Sequence, residues 1–213
     1  MIGVAPLPSR TLRVSALAGG RGERWLFADL DFVVPPGRIL LLRGPNGAGK
    51  TSLLMTLATI VRPFGGTIEI EGRDPEQPIG AEIGLFGHRP AIKPRLSVGE
   101  NLRFWTELYG GDVGAVGDGL DLVGLGPIGA LDAGYLSAGQ TRRLALARLV
   151  LSNRPVWLLD EPTSALDKQG ESLVGALIDR HLDRGGLAVS ATHQDLLLRD
   201  PGRVDTLQLG ETA

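Results

Sequence analysis

The chain has 213 residues, 43% of them apolar, which is enough for the core of one domain of ordinary to large size. Its 22 basic and 24 acidic side chains leave a formal net charge of −2, so no global field draws it to nucleic acid or an anionic membrane. Cysteine is absent, which excludes disulfides, thiolate metal sites and covalent haem attachment.

The start, Met1–Arg10, carries no basic-then-apolar signal segment. Short apolar stretches at Leu12–Leu17 and Leu30–Val34, separated by turn residues, predict antiparallel strands. Pro35-Pro-Gly37 is a turn, and Ile39–Leu42 is a continuous apolar run of the kind found in buried parallel strands. Gly44-Pro-Asn-Gly-Ala-Gly-Lys-Thr51 follows, and Leu53, Leu54, Leu57 and Val61 then recur at helical spacing. Thr67–Glu71 alternates again as a strand. The region from Leu96 to Ile128 reads as helical but loosened by glycines, and Thr141–Leu151 as a firm helix ended by Asn153-Arg-Pro155. Val156–Leu159 is a buried strand, Glu171–His181 a helix, Leu187–Ala191 a strand and Val204–Leu209 a last strand. Apolar runs such as Leu144–Leu151 are far shorter than the roughly 20 residues that cross a bilayer, so a soluble chain is expected. Strand, loop and helix followed by further alternation predict an α/β domain with a mostly parallel sheet, flanked by an antiparallel β layer. One domain is expected over 1–213, with a helical subdomain at roughly 88–152, because no motif is repeated.

Three segments carry chemistry. In Gly44, Pro45, Asn46, Gly47, Ala48, Gly49, Lys50 and Thr51 the glycines let backbone N–H groups converge on phosphate oxygens, and the helix opening at Thr51-Ser52 adds its positive end. Lys50 is expected to neutralise the β- and γ-phosphates of ATP and Thr51 to hold Mg²⁺. Asp160 ends an apolar strand, where a carboxylate is expensive to bury unless it has a task; it is expected as a further Mg²⁺ ligand. Glu161, next in line, is expected to be the general base toward the attacking water. Ser137 and Gly139, in Leu136-Ser-Ala-Gly-Gln140, open a helix and with it an anion site that contains no lysine. The same Ser also serves as an ordinary helix cap.

Together these segments resemble the ATP-binding-cassette (ABC) family. The resemblance implies a P-loop ATPase fold and a site completed by a second copy, in which Ser137, Gly139 and Gln140 meet the γ-phosphate held by the other copy's loop. It implies that Ser164–Asp167 link the two sites and that His193 touches the γ-phosphate. His88 falls where most members of the family carry a glutamine, with Arg89 beside it, and the adenine-stacking aromatic near residue 21 is missing, leaving Arg21 or Trp25 to stack.

Gly87–Lys93, Leu96–Trp105, Tyr135–Gln140 and Thr192–Gln194 further resemble the haem-exporter ATPases of cytochrome c biogenesis. That resemblance implies a homodimer of ATPase subunits bound to membrane-spanning permease subunits at the cytoplasmic face of a bacterial inner membrane. The dock would be the surface between His88 and Trp105; the chain would drive haem export or loading of haem onto a periplasmic chaperone, with no nucleic-acid partner. An exporter of drugs, lipids or polysaccharides, and a non-transport ABC ATPase, remain open alternatives.

Overall fold

The structure, a computed structural model, describes residues 5–88 and 90–210. Among these residues eight strands form two sheets: β1 (Thr11–Arg21), β2 (Arg24–Val34) and β4 (Gly65–Glu71) in an antiparallel sheet of order β2-β1-β4, and β3 (Ile39–Arg43), β5 (Ile83–Phe86), β6 (Val156–Asp160), β7 (Leu187–Ala191) and β8 (Val204–Gln208) in a second sheet. The second sheet is parallel throughout, in the order β5-β6-β7-β3-β8. Its inner strands β6 and β7 are buried at every residue, the outcome that apolar runs without alternation predict.

Both faces of that sheet are covered. Helix α1 (Lys50–Leu57) and the antiparallel sheet pack on one face, where Leu53 and Leu54 of α1 and Leu12, Val14 and Leu17 of β1 meet Leu40 and Leu42 of β3 and Val156 and Leu158 of β6. On the other face Leu41, Trp157 and Leu159 meet α2 (Val98–Leu108), α3 (Val116–Leu122), α4 (Ala138–Leu151) and α5 (Lys168–Asp183). Leu158 is fully buried, and side chains of this size contribute about 1.5–3 kcal/mol each on burial.

Several expectations are adjusted in detail. The helix foreseen to Val61 ends at Leu57, and Thr59 two residues on has φ of 58°, which breaks the helical path. Strand β5 lies in a stretch for which no strand was expected: only four residues long, it is broken by Gly84, where a Cβ would come within 2.8 Å of Leu149. Helix α4 begins at Ala138 because Ser137 caps it, and α5 begins at Lys168 because the Asp167 side chain accepts from the Gly170 N–H. Arg89 lies outside the described residues.

Parallel pairing has one functional consequence. Strands β6, β7 and β3 are neighbours, so their C-terminal ends, and the residues just beyond them, come together at one edge of the sheet. Those residues are Asp160 and Glu161, Thr192 and His193, and the loop from Gly44.

Candidate nucleotide site

The loop after β3 is built around glycines that no other residue could replace without strain. Gly44 has φ of 135° and lies so close to β8 that a Cβ would stand 2.3 Å from the Leu209 carbonyl oxygen. Gly49 has φ of 99°, and a Cβ there would sit 2.9 Å from Cβ of Leu26 on β2. Pro45 and Ala48 form the outer wall of the loop, against Gly210. With Gly49 as its N-cap, α1 points its first-turn N–H groups and the positive end of its dipole into the loop.

Beside the loop opens a cleft of ≈ 470 Å³ lined by Asn46, Gly47, Gly49, Lys50, Thr51 and Ser52, by Asp160, Glu161 and His193, and by Arg21, Arg24 and Leu26. Lys50 is 8% exposed, its ammonium donating to the Gly44 carbonyl at 2.7 Å and the Pro45 carbonyl at 3.0 Å. Burial holds its pKa below the ordinary lysine value, opposed by the charges of Glu161 and Asp160. Asp160, also buried, has its pKa pushed up by desolvation; the Thr51 hydroxyl, then His88, Arg142 and Lys50, counter that shift. Thr51 Oγ1 donates to Asp160, with oxygens 3.1 and 3.2 Å away.

A hydroxyl and a carboxylate converging in this way are hard oxygen donors that suit Mg²⁺, which usually keeps waters and substrate phosphates for its other positions. Among the described residues no group of three or more His, Cys, Asp or Glu could hold a metal ion. Glu161 and His193 stand at the mouth, with His193 Nε2 3.7 Å from Glu161 Oε1 and both side chains partly exposed. Such a pair can accept a proton and hold a water at a phosphate end.

The structure thus brings the loop, Asp160, Glu161 and His193 into one cleft. It does not bring Leu136–Gln140 there. Ser137 Oγ accepts from the Gln140 N–H at 3.2 Å, and the Gln140 side-chain oxygen accepts from the Ser137 N–H at 2.9 Å, closing a capping box. Ser137, Gly139 and Gln140 line a separate cavity of ≈ 390 Å³ together with Gly124, Arg143 and Asp167, and it shares no lining residue with the cleft.

Of the two alternatives for stacking adenine, Arg21 lines the cleft and Trp25 does not. Trp25 is exposed and meets Phe64 edge-on at 5.3 Å. Arg24 and Leu26 were not foreseen, because β2 has an extra residue opposite Gly19–Gly20, and such an irregularity breaks the alternation that would have paired their faces. His88 is exposed and lines a larger neighbouring groove of ≈ 960 Å³ with Met55, Trp105, Tyr109 and Arg148, which shares Arg21, Thr51 and Ser52 with the cleft. Arg148 is buried, its guanidinium 4.9 Å over the Trp105 ring and donating to the Pro90 carbonyl at 2.8 Å. His181 lies on α5. It is buried, stacked on Trp157 at 3.9 Å, and its pKa is pushed down to about 3, chiefly by desolvation.

Comparison with known proteins agrees with this geometry. Residues 27–164 match the family described as ABC transporter. The cytochrome c biogenesis ATP-binding export protein CcmA of Rhodopseudomonas palustris (strain HaA2) is 49% identical over 176 residues, covering 83% of this chain and 88% of that protein. The protein of the same name from Rhizobium meliloti (strain 1021) is 45% identical over 194 residues, covering 87% and 92%. Among solved structures, a putative ABC transporter ATP-binding protein from Pyrococcus furiosus superposes with a TM-score of 0.79 at 24% identity, over 93% of this chain and 97% of that one. The ATP-binding cassette MJ0796, in a dimeric structure bound to ADP and Pi, gives 0.78 at 22% identity over 93% and 96%. Among the described residues, no helix is long and apolar enough to cross a membrane. On its phosphate loop, its two-layered sheets and these relatives, the chain belongs to the ABC transporter family of ATP-binding proteins, and within it to the cytochrome c biogenesis export group.

Proposed function

We propose that this chain is the ATP-hydrolysing subunit of an export complex of cytochrome c biogenesis, working as a pair of copies on membrane-spanning permease subunits. The observation that carries the reading is the single cleft in which Lys50, Thr51, Asp160, Glu161 and His193 converge on the N-terminus of α1. ATP lies with its phosphates in the loop formed by Gly44–Ser52. Thr51 and Asp160 would hold Mg²⁺, which would supply charge neutralisation on the β- and γ-phosphates. Lys50 adds a fixed positive charge on the same oxygens. Glu161 takes a proton from the attacking water as its oxygen bonds to the γ-phosphorus, and the bond to the β–γ bridging oxygen breaks, releasing ADP and phosphate. His193, beside Glu161, orients that water and the γ-phosphate.

Half of the site comes from elsewhere. Ser137, Gly139 and Gln140 lie in a cavity separate from the cleft of their own chain, so their anion site at the start of α4 serves the ATP of a second copy. A pair arranged head to tail closes two ATP molecules between them, and a lone copy turns over slowly. The groove holding His88, Trp105 and Arg148 is the face for the permease, at the cytoplasmic side of the inner membrane. Its continuity with the cleft through Thr51 and Ser52 gives a short route from bound nucleotide to partner. The cargo we assign is haem, to be exported or loaded onto a periplasmic chaperone. None of the three histidines suits a haem ligand on this subunit: His181 is buried in the core, His193 faces Glu161 and His88 faces the groove.

Affinity purification of the tagged chain from membranes tests the assignment. A multispanning permease recovered together with haem-handling proteins is the expected result, and a permease without any such protein contradicts the cargo.

A further inference from the structure

Arg142 lies five residues beyond Ser137 on α4 and is only 8% exposed. Its Nη2 donates to the backbone carbonyl of Glu161, and its guanidinium lies 4.6 Å over the Phe86 ring of β5. Its Nε is buried with no acceptor among the described residues, and no carboxylate there forms an ion pair with it. A buried cation so incompletely paired is costly to the fold, and an apolar residue of similar size would pack there more cheaply.

What Arg142 holds is unusual in turn. Glu161 has φ of 46°, the left-handed region, which is unfavourable for a residue with a side chain. Such a conformation persists only where its surroundings over-determine it. Here the Glu161 N–H donates to the Ala191 carbonyl of β7 at 2.8 Å, while its carbonyl accepts from the Ser164 N–H at 3.2 Å and from Arg142. The backbone of Glu161, from which its side chain springs, is therefore held from three directions. Two are the neighbouring strand and the turn that follows, and the third is helix α4. Burial lowers the pKa of the guanidinium, while Asp160 and Glu161 oppose that shift, in keeping with a cation placed for that strand end.

We propose that Arg142 is a positioning residue for hydrolysis, tying the backbone of Glu161 to the helix that opens with Ser137 and Gly139. The tie rests on the reading of Glu161 as general base. Its consequence is that α4 and Glu161 move as one body. Seating the Ser137 end of α4 against the phosphates of a second copy aligns the base of its own chain. A swing of α4 away from that position draws on the Glu161 carbonyl and takes the carboxylate out of line. Each copy thus registers its partner at its own catalytic carboxylate, within one chain, through a single guanidinium.

The test is steady-state ATP hydrolysis by the full-length chain in its solubilised membrane assembly, with fluorescent-ATP binding measured on the same samples. Arg142→Met keeps the stem but removes donor and charge; it is expected to lower kcat by about 10- to 100-fold, the scale of a misplaced reacting group, with KM and nucleotide affinity within about twofold of the parent. Arg142→Lys, which keeps the charge and one donor, is expected to fall between the two. The proposal is overturned by a kcat for Arg142→Met within twofold of the parent, by a loss shared equally by nucleotide affinity, or by Lys losing as much as Met. If Arg142→Met does not fold, Arg142→Gln, a neutral donor, carries the same test: lowered kcat at unchanged KM supports the tie, and any other pattern removes it. Glu161→Gln is measured alongside. Undiminished turnover there would remove the general-base reading, whereas an inactive Glu161→Gln beside a fully active Arg142→Met would remove the positioning role alone.

Discussion

Thr51 Oγ1 stands 3.1 and 3.2 Å from the two carboxylate oxygens of Asp160, although 109 positions separate the residues along the chain. The contact joins the first turn of α1 to the end of β6, and it places a hydroxyl and a carboxylate where a hard cation and a phosphate would share them. It also sets stability against function, because Asp160 is buried with its pKa pushed up by desolvation.

Replacing Asp160 by Asn removes a buried charge while keeping shape and the partner to Thr51. Nucleotide-free protein with Asp160→Asn is expected to be as stable as the parent or more so, by up to about 1 kcal/mol, or roughly 2–4 °C in Tm. Mg²⁺-dependent hydrolysis is expected to fall by about 100-fold or more. Thermal melts and a Mg²⁺ titration of turnover on the same samples check both halves.

Ser137 has two roles that one substitution can separate. As a cap it contributes about 1 kcal/mol to α4, and Asp caps as well as Ser does. Ser137→Asp is therefore expected to keep the Tm within a degree or two but to lose turnover by about 100-fold, because a carboxylate would face the phosphates held by the second copy. Ser137→Ala is expected to lose both. Retained turnover in Ser137→Asp would remove the anion-site role.

His181 makes stability depend on pH. Its pKa in the fold is about 3, against about 6.5 in the unfolded chain, so between those values only the unfolded chain takes up the proton. The neutral imidazole costs nothing above about pH 6.5, and stability falls as pH drops through the window, by ~1.4 kcal/mol per unit. Between pH 7 and pH 5 the parent is expected to lose about 2 kcal/mol more than His181→Gln in urea unfolding. Equal losses would contradict the buried neutral histidine.

Arg21 and Arg24 line the cleft together with Leu26, beside the phosphate loop. Replacing both arginines by Ala is expected to weaken ATP binding by about tenfold, with kcat at saturation within about twofold, the pattern of contacts made equally in ground and transition states. Fluorescent-nucleotide titration and a Michaelis curve measure the two parameters.

The framework of the fold was legible because its central strands are short apolar runs with a function-bearing residue at each end: Ile39–Leu42 before Gly44, Val156–Leu159 before Asp160, and Leu187–Ala191 before Thr192-His193. Parallel pairing of three such strands is what gathers the site. Strand β5 was not legible, since four residues interrupted by Gly84 carry neither periodicity nor length. Arg142 was read only as part of a helix, because a charged residue usually marks the solvent side, and nothing in the spacing shows that its guanidinium reaches Glu161. His181 was likewise read only as the last residue of a helix. Its partner Trp157 lies on a strand 24 positions away, and stacking between a helix and a strand leaves no local pattern.

Hydrolysis by a pair of copies with Glu161 as the base is tested most directly by Glu161→Gln in the full-length chain, measured for ATP turnover and, with ATP and Mg²⁺ present, for molecular mass in solution. Turnover reduced by about 1,000-fold or more, together with a stable two-copy species that retains ATP, is the predicted result. Turnover close to that of the parent, or a chain that remains a single copy while holding ATP, would contradict it.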